Sequence, residues 1–336
     1  MKFNFNNVQS KKEIDVDPKL HVIAGPVKIG KSTVLNELSA KYNWLICDTQ
    51  KISGYNNLQG GKIIRIVELE PPMSSEAIER YKNDYKMYEE LMAAPQKDIR
   101  KIKEYKQRLD SNKYWETYER RNDLRENEFY LKDIIDFYNE TDANNNLVNK
   151  CEYDGIVIDL LDAIDGANGW LEYNSARKWC SNNPTFILDK TRISILDLPG
   201  IQGSRGWEYL RYGFMDLLAD LIRIFKKVIT VVHFKDKYVV EQGKINENKV
   251  TQSLALRGKS GELLLSECDA FGFMTADGNK RTLSYKKSKA TLDSRALHLH
   301  DQEILISEFN KSTGKVETNW DKIYLNYATK NTAKSN

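Results

Sequence analysis

The sequence predicts an α/β protein built on a mainly parallel sheet that is flanked by helices. Short apolar runs rich in β-branched residues recur along the chain, and most are uninterrupted, as in strands that are covered on both faces. Helical patterns lie between many of these runs, for example from Ser32 to Lys41 and from Gly213 to Phe225. Strands separated by helices favour a layered sheet with crossover connections.

Six of the runs are predicted to be strands. They are His21–Ala24, Trp44–Cys47, Ile63–Val67, Gly155–Ile158, Ile193–Leu196 and Val228–Val232. Later in the sequence, Phe271–Thr275 and Arg281–Tyr285 flank the turn-forming residues Asp277, Gly278 and Asn279, which is typical of an antiparallel hairpin. We therefore expect the parallel sheet to be extended by a late antiparallel hairpin.

A helical insertion is predicted after the third strand. Apolar and tyrosine side chains recur there at helical spacing, with charges of both signs at the other positions. They are Tyr81, Tyr85, Tyr88, Met92, Ile99, Ile102, Tyr105 and Leu109. Two or three helices are expected, and the last, with Leu131, Ile134, Ile135 and Tyr138, is a candidate crossover helix of the core. The earlier helices form either a solvated arm or a contact with another copy or a partner.

Composition narrows the class of protein. Of the 336 residues 40% are hydrophobic, which allows a packed core, and no apolar run approaches the ~18 residues of a membrane span. The first residues lack the apolar middle of a signal peptide, so we expect a cytoplasmic protein with no membrane partner. The four cysteines show no metal or disulfide spacing, so reduced thiols are expected. A net charge of +3 does not by itself indicate nucleic-acid binding.

One motif is specific. Residues 25–32 read Gly-Pro-Val-Lys-Ile-Gly-Lys-Ser, which matches the phosphate loop G-x-x-x-x-G-K-[ST] between an apolar strand and an amphipathic helix. Gly25 and Gly30 let the backbone N–H groups point inward, and the helix presents its positive end to the same oxygens. Lys31 is suited to the outer phosphates and the Ser32 hydroxyl to Mg²⁺. The residues predicted to bind nucleotide are Gly25, Pro26, Val27, Lys28, Ile29, Gly30, Lys31, Ser32 and Thr33.

A phosphate-loop site also needs a carboxylate at the end of a nearby strand to hold the hydrated Mg²⁺. Asp159 ends one apolar strand and Asp197 ends another. The second segment, Asp197-Leu198-Pro199-Gly200, matches the D-x-x-G switch of GTPases, but no guanine-reading [NT]KxD motif follows the strand that ends at Val232. Asp159 is the predicted metal residue, Asp197 is the alternative, and both acids capping their strands without binding metal is the third possibility.

From Tyr153 onward the order of features resembles the phage-encoded RecA-like ATPases, in particular the single-strand-annealing-associated recombinases of the fourth Sak type. The matching segments are Tyr153–Asp159, Gly206-Trp207 with Leu210-Arg211, His233 with Lys235-Asp236-Lys237, Leu256–Lys259, Asp269–Gly272 and Ser294–Leu299. The resemblance covers residues 20–70 and 150–300, and the order of the segments carries it. The helical insertion departs from the pattern, so its role stays open.

The resemblance implies a RecA-like fold, ATP hydrolysis with Mg²⁺, and assembly into a ring or filament. It also implies single-stranded DNA as a partner, alongside replication or recombination proteins. His233 would sense the γ-phosphate, or else be an ordinary core histidine. The residues predicted to bind DNA are Arg205, Trp207, Arg211, Lys235, Lys237, Lys244, Lys249, Arg257 and Lys259. The alternative for the segment from Lys235 to Lys259 is an ordinary solvated loop, and the alternative for Trp207 is packing in the core.

Basic residues after the hairpin are the remaining catalytic candidates. By the resemblance, Lys287, Lys289 and Arg295 would enter a neighbouring subunit's nucleotide site, the alternative being a surface charge cluster.

RecA-like enzymes often place the water-activating Glu after the second strand, where this chain has Asp48 and then Gln50. Asp48 is therefore the predicted group, with Glu68 and Glu70 as further options.

The chain is accordingly divided into four parts. Residues 1–72 and 143–306 are expected to form the two parts of the ATPase core, the second with the DNA-binding loops. Residues 73–142 are the helical insertion. Residues 307–336 are the C-terminal tail, which is expected to be polar and loose from about Lys311 onward, apart from Trp320, Ile323, Tyr324 and Leu325. Two other functions stay open, a small-molecule kinase and a non-catalytic nucleotide-binding assembly protein.

Overall fold

A ten-stranded sheet organises the fold. The computed structural model describes residues 16–50, 53–68, 74–110, 125–161, 205–241, 244–256, 259–286 and 294–327. The strands of this sheet are β1 (Leu20–Ala24), β2 (Trp44–Asp48), β3 (Lys62–Glu68), β4 (Glu128–Tyr130), β5 (Gly155–Asp159), β6 (Val228–Val232), β9 (Ala270–Asp277), β10 (Lys280–Ser284), β11 (Glu303–Asn310) and β12 (Lys315–Thr318). A separate antiparallel ribbon consists of β7 (Phe234–Glu241) and β8 (Lys244–Leu254).

Helices connect the strands. The described α-helices are α1 (Lys31–Tyr42), α2 (Ser75–Ala93), α3 (Ile99–Asp110), α4 (Leu131–Asn139), α5 (Arg205–Phe225) and α6 (Ser260–Glu267). Short 3₁₀ turns span Leu297–Leu299 and Trp320–Lys322. Within the described part of the chain, no helix is long and apolar enough to cross a membrane.

The strand order places the carboxyl ends of β1, β6, β5 and β2 next to one another. The order is β12-β11-β10-β9-β1-β6-β5-β2-β3-β4. From β9 to β4 the neighbouring strands are parallel, whereas β9 to β12 pair antiparallel. The carboxyl ends of the parallel strands therefore meet at one edge of the sheet, with β6 between β1 and β5.

Apolar side chains cover both faces of the sheet. The consecutive residues Ile156 and Val157 point to opposite faces of β5, and both are fully buried. Ile156 belongs to a cluster with Leu217 of α5, and Val157 to a second cluster with Leu35 of α1. The uninterrupted apolar runs of the sequence follow from this double coverage.

The predicted mixed sheet is confirmed. Five of the six predicted strands correspond to β1, β2, β3, β5 and β6, and the hairpin corresponds to β9 and β10. The sixth, Ile193–Leu196, lies outside the described residues, as does Cys180. Cys47, Cys151 and Cys268 are free thiols, as the sequence predicts. Burial raises the pKa of the Cys268 thiol to about 12, which keeps it protonated and unreactive at neutral pH.

The expected insertion has two different parts. Helices α2 and α3 pack against each other, with Tyr81 and Leu109 buried and Arg108 3.8 Å from Asp84. The segment 128–139 is instead part of the sheet domain, because β4 pairs parallel with β3 and α4 packs on the core. Helix α4 thus has the predicted position of a crossover helix.

The prediction of a loose C-terminal tail is wrong. Residues 303–318 form β11 and β12, which extend the sheet beyond β10. Trp320, Ile323, Tyr324 and Tyr327 are buried in the cluster that contains the α1 side chains. Strand β12 is polar because it lies at the exposed edge of the sheet, so its composition resembles that of a loop.

Candidate nucleotide-binding site

The phosphate loop connects the carboxyl end of β1 to the amino end of α1. Lys28 and Gly30 have φ angles of 61° and 95°, so the loop turns back on itself between strand and helix. A Cβ on Gly25 would lie 2.8 Å from the Met274 carbonyl oxygen, which explains glycine there. Because Gly30 has no side chain to cap α1, the first N–H groups of the helix are available to an anion.

Lys31 provides the positive charge of the loop. Its ammonium group donates to the carbonyl oxygens of Gly25 at 3.0 Å and Pro26 at 2.8 Å. The residue is only 6% exposed. A buried ammonium group that lies against the backbone of the loop is well placed to attract a polyanion, because little solvent screens its charge.

A hydroxyl and a carboxylate meet beside the loop. Ser32 Oγ donates to Asp159 Oδ2 at 3.0 Å, and the Tyr55 hydroxyl donates to the same oxygen at 2.6 Å. Asp159 ends β5, and its peptide bond to Leu160 is cis. The adjoining turn is held by Thr49, whose Oγ1 accepts from Leu160 N at 2.8 Å.

Burial is the main cause of the pKa shifts of Asp159 and Tyr55. It raises the pKa of Asp159, although the hydrogen bonds from Tyr55 and Ser32 oppose the shift. It also raises the pKa of Tyr55 well above its usual range, and the nearby Asp159 charge raises that pKa further. Tyr55 therefore remains a neutral hydroxyl that donates to the carboxylate.

Asp48 lies next to Asp159 on the neighbouring strand. The two residues are partners in the parallel register of β2 and β5, and Asp48 is 2% exposed. Asp48 Oδ1 accepts from the Gln50 N–H at 3.1 Å, which orients the carboxylate. The structure thus places Lys31, Ser32, Asp48 and Asp159 at one edge of the sheet. Of the other predicted water-activating options, Glu68 ends β3 and Glu70 lies outside the described residues.

His233 directly follows β6, so it lies at the same edge between the phosphate loop and Asp159. It is half-buried, and its carbonyl oxygen accepts from Ala255 N at 2.8 Å. This bond closes the base of the β7–β8 ribbon. The position agrees with the sequence expectation, whereas the sensing role stays a prediction.

The predicted DNA-binding loop is a β-ribbon. Lys237, Lys244 and Lys249 lie along its strands. Lys235 is at its base, where its ammonium group donates to Leu256 O at 2.5 Å. Lys259 is exposed at the start of α6.

The other predicted DNA contacts lie elsewhere. Arg205, Trp207 and Arg211 belong to α5, with Arg211 half-buried. Arg257 lies outside the described residues. The positions of these residues do not test DNA binding, so their role in it stays a prediction.

Of the basic residues predicted after the hairpin, the structure describes Arg295, and this residue does not reach the site within one chain. Arg295 donates to the carbonyl oxygens of Ser266 and Glu267, beside the amino ends of β1 and β9. It therefore lies at the sheet edge opposite Lys31, and a role in a neighbouring subunit's site stays a prediction. Lys287, Lys289 and Asp197, the alternative metal residue, lie outside the described residues.

Two residues of the site carry no signal in the sequence. Tyr55 reaches Asp159 from the connection between β2 and β3. Arg281 reaches the phosphate loop from β10, where its Nε donates to Ile29 O at 2.5 Å. Neither lies in a motif, and both contacts join residues more than 100 positions apart, with separations of 104 and 252.

A family model described as an AAA domain matches residues 18–293. The matched region contains the phosphate loop, Asp48, Asp159, His233 and Arg281. No curated protein matches the chain.

Proposed function

Because the chain belongs to the AAA domain family, we propose that it is a Mg²⁺-dependent ATPase that binds single-stranded DNA in phage recombination or replication. The observation that carries the ATPase proposal is the 3.0 Å hydrogen bond from Ser32 of the phosphate loop to Asp159. The two side chains that would hold the metal already meet beside the residues that would hold the phosphates.

The residues present fit Mg²⁺. Ser32 and Asp159 offer oxygen atoms, which this hard cation prefers, and a divalent cation would offset the buried charge of Asp159. The described residues contain no cluster of three or more His, Cys, Asp or Glu side chains that could hold a metal. Water and phosphate oxygens would complete the ligands of an ion that is held by one carboxylate and one hydroxyl. When bound, the ion would neutralise charge on the outer phosphates.

The protein's own groups would perform the remaining steps. The loop N–H groups and the Lys31 ammonium group bind the phosphates and stabilise the charge that develops during transfer. Asp48 is proposed to orient the attacking water, because it is buried next to Asp159 and its carboxylate is held by the Gln50 N–H. His233 is proposed to sense the γ-phosphate from the end of β6.

The position of the ribbon supports the DNA part of the proposal. The β7–β8 ribbon begins one residue after His233, so a change at the nucleotide can reach its base directly. Lysines along the ribbon would neutralise DNA phosphates without reading the base sequence. The resemblance to phage RecA-like ATPases supports single-stranded DNA as the partner and a ring or filament as the assembly.

ATP turnover measured with and without single-stranded DNA tests the proposal. We expect the wild-type protein to hydrolyse ATP faster with DNA. Lys31→Ala should lower turnover about 100-fold or more, because it removes a main charge contact to the transferring phosphoryl group. Lys41→Ala, at the exposed end of the same helix, is the matched control and should behave as wild type.

The outcomes separate the rival functions. Equal turnover of Lys31→Ala and wild type would refute the phosphate loop as the active site. Turnover that DNA does not change, together with phosphoryl transfer to a small acceptor, would favour the kinase. Nucleotide binding without any hydrolysis would favour the assembly protein. Equal affinity for single-stranded DNA with ATP, ADP and no nucleotide would refute coupling between His233 and the ribbon.

A further inference from the structure

Arg281 joins the late hairpin to the phosphate loop. Its Nε donates to Ile29 O at 2.5 Å, and its Nη1 donates to Gly278 O at 2.8 Å and Lys280 O at 2.9 Å. The last two bonds anchor the guanidinium group to the turn of its own hairpin. The first bond extends from this anchored group to the loop, so the planar side chain acts as a strut between the two segments.

The loop is shaped to receive this side chain. A Cβ on Gly30 would lie 3.1 Å from Arg281 Nε, and the φ of 95° at Gly30 disfavours other residues independently. Gly25 is similarly close to Met274 of β9. The hairpin therefore packs directly against both glycines of the loop.

The contact with Ile29 has a consequence for the amide of Gly30. The Ile29 carbonyl and the Gly30 N–H belong to one planar peptide unit, in which they point in opposite directions. A donor that holds this carbonyl toward β10 therefore turns the Gly30 N–H away from β10 and toward the interior of the loop. Loop N–H groups with this direction are the ones that bind phosphate oxygens.

The strand order indicates which part of a nucleotide would face Arg281. Along the sheet edge, Asp159 of β5 lies on one side of the loop and Arg281 of β10 on the other. A metal ion held by Ser32 and Asp159 would neutralise charge on the outer phosphates of a nucleoside triphosphate, so these phosphates would lie on the Asp159 side. The α-phosphate and the nucleoside are then directed toward the hairpin, where Arg281 lies.

We propose that Arg281 is a positioning residue for the nucleotide, which orients the Gly30 amide by holding the Ile29 carbonyl. This inference rests on the proposed function, since it assigns a further residue to the same site. Because Arg281 lies on the side away from the γ-phosphate, it contributes equally to binding of ATP and ADP. Its effect is on affinity rather than on the rate of the chemical step.

Nucleotide binding by Arg281→Ala tests the inference. Dissociation constants for Mg²⁺–ATP and ADP are measured together with kcat and KM. Both affinities are expected to fall about tenfold, the size of one well-placed hydrogen bond. KM should rise by a similar factor, while kcat should stay within about threefold of wild type. A purely structural role would instead lower the thermal midpoint and kcat together.

Two further variants control the measurement. Lys280→Ala changes the exposed neighbour that pairs with Glu308 at 3.8 Å, and it should bind nucleotide as wild type does. Arg281→Lys retains the charge but cannot make all three hydrogen bonds of the planar guanidinium group, so most of the affinity loss should remain. It also serves as the test variant if Arg281→Ala does not fold.

The outcomes are distinct from those of the proposed function. If Arg281→Ala binds nucleotide as Lys280→Ala does while Lys31→Ala does not bind, the inference fails and the site stands. If Lys31→Ala binds as wild type does, the proposed function itself fails. A loss confined to ATP would place Arg281 at the γ-phosphate, and full recovery in Arg281→Lys would reduce its role to charge. Either result overturns the inference.

Discussion

Replacing Trp320 with alanine tests how far the C-terminal segment supports the phosphate-loop helix. Trp320 is fully buried, and its indole N–H donates to Val34 O of α1 at 3.1 Å. It shares a cluster with Val34, Leu35 and Leu38, which are on the buried face of that helix. Lys31 and Ser32 are in the first turn of the same helix, so its packing determines where they lie.

The structure suggests the size of the effect. Removing a buried tryptophan side chain costs about 3–5 kcal/mol, a large part of the ~5–15 kcal/mol by which a typical protein is stable. Trp320→Phe keeps much of the apolar contact and loses the indole donor, so about 1–2 kcal/mol is expected. Nucleotide at 100 times its dissociation constant should add about 2.7 kcal/mol to a variant whose site is intact.

Urea unfolding with and without Mg²⁺–ATP provides the measurement. Phe309→Ala is the matched control, because this aromatic residue is in the same segment but 41% exposed, and it should cost less than about 1 kcal/mol. A loss for Trp320→Ala no larger than that of the control would refute the reasoning. Loss of the nucleotide effect in a folded Trp320→Ala would show that the helix packing also shapes the site.

Two substitutions, one at Asp159 and one at Tyr55, give further predictions. Asp159→Asn should lower ATP turnover about 100-fold or more, yet the protein without ligands should be at least as stable as wild type near pH 8. The stability contributed by this carboxyl group is present below its unfolded-state pKa of about 4 and is lost as pH rises through its raised folded-state pKa. The advantage of the variant in urea unfolding should therefore shrink from about pH 8 to about pH 4, and an advantage that grows toward low pH would contradict the assignment. Tyr55→Phe removes the 2.6 Å donor to the Asp159 carboxylate and should cost about 1.5–3 kcal/mol at neutral pH. In a double-mutant cycle the cost should be smaller when Asp159→Asn is already present; an unchanged cost would place the contribution of Tyr55 elsewhere.

Local chemistry explains what could be predicted from the sequence. The phosphate loop needs glycines, one lysine and one hydroxyl at fixed spacing, so Gly25 to Ser32 are recognisable without a structure. Asp159 ends an uninterrupted apolar run, and such runs mark strands that are covered on both faces. The turn residues around Gly278 likewise mark the hairpin, since few residues tolerate its φ of 54°.

Contacts between distant segments explain what could not be predicted. Arg281 has no distinctive neighbours in the sequence, and only the pairing of β10 with β9, and of β9 with β1, brings it to Ile29. Tyr55 reaches Asp159 from a connection whose path the sequence pattern does not specify. Strand β12 is polar because it lies at the sheet edge, so its composition predicts a loose tail. The segment nevertheless leads to the buried Trp320.

The buried contacts between the two ends of the described chain also affect how the protein is made. The Trp44 indole donates to the Tyr327 hydroxyl and the Trp320 indole to Val34, across separations of 283 and 286 residues. At ~5–20 residues per second, a ribosome makes these partners roughly 15–60 s apart. During that interval Trp44 and the inner face of α1 lack their final cover, and such non-local contacts slow folding. A nascent chain therefore cannot bury Trp44 and the inner face of α1 in their final contacts until the last strand pair and the aromatic residues that follow it have emerged.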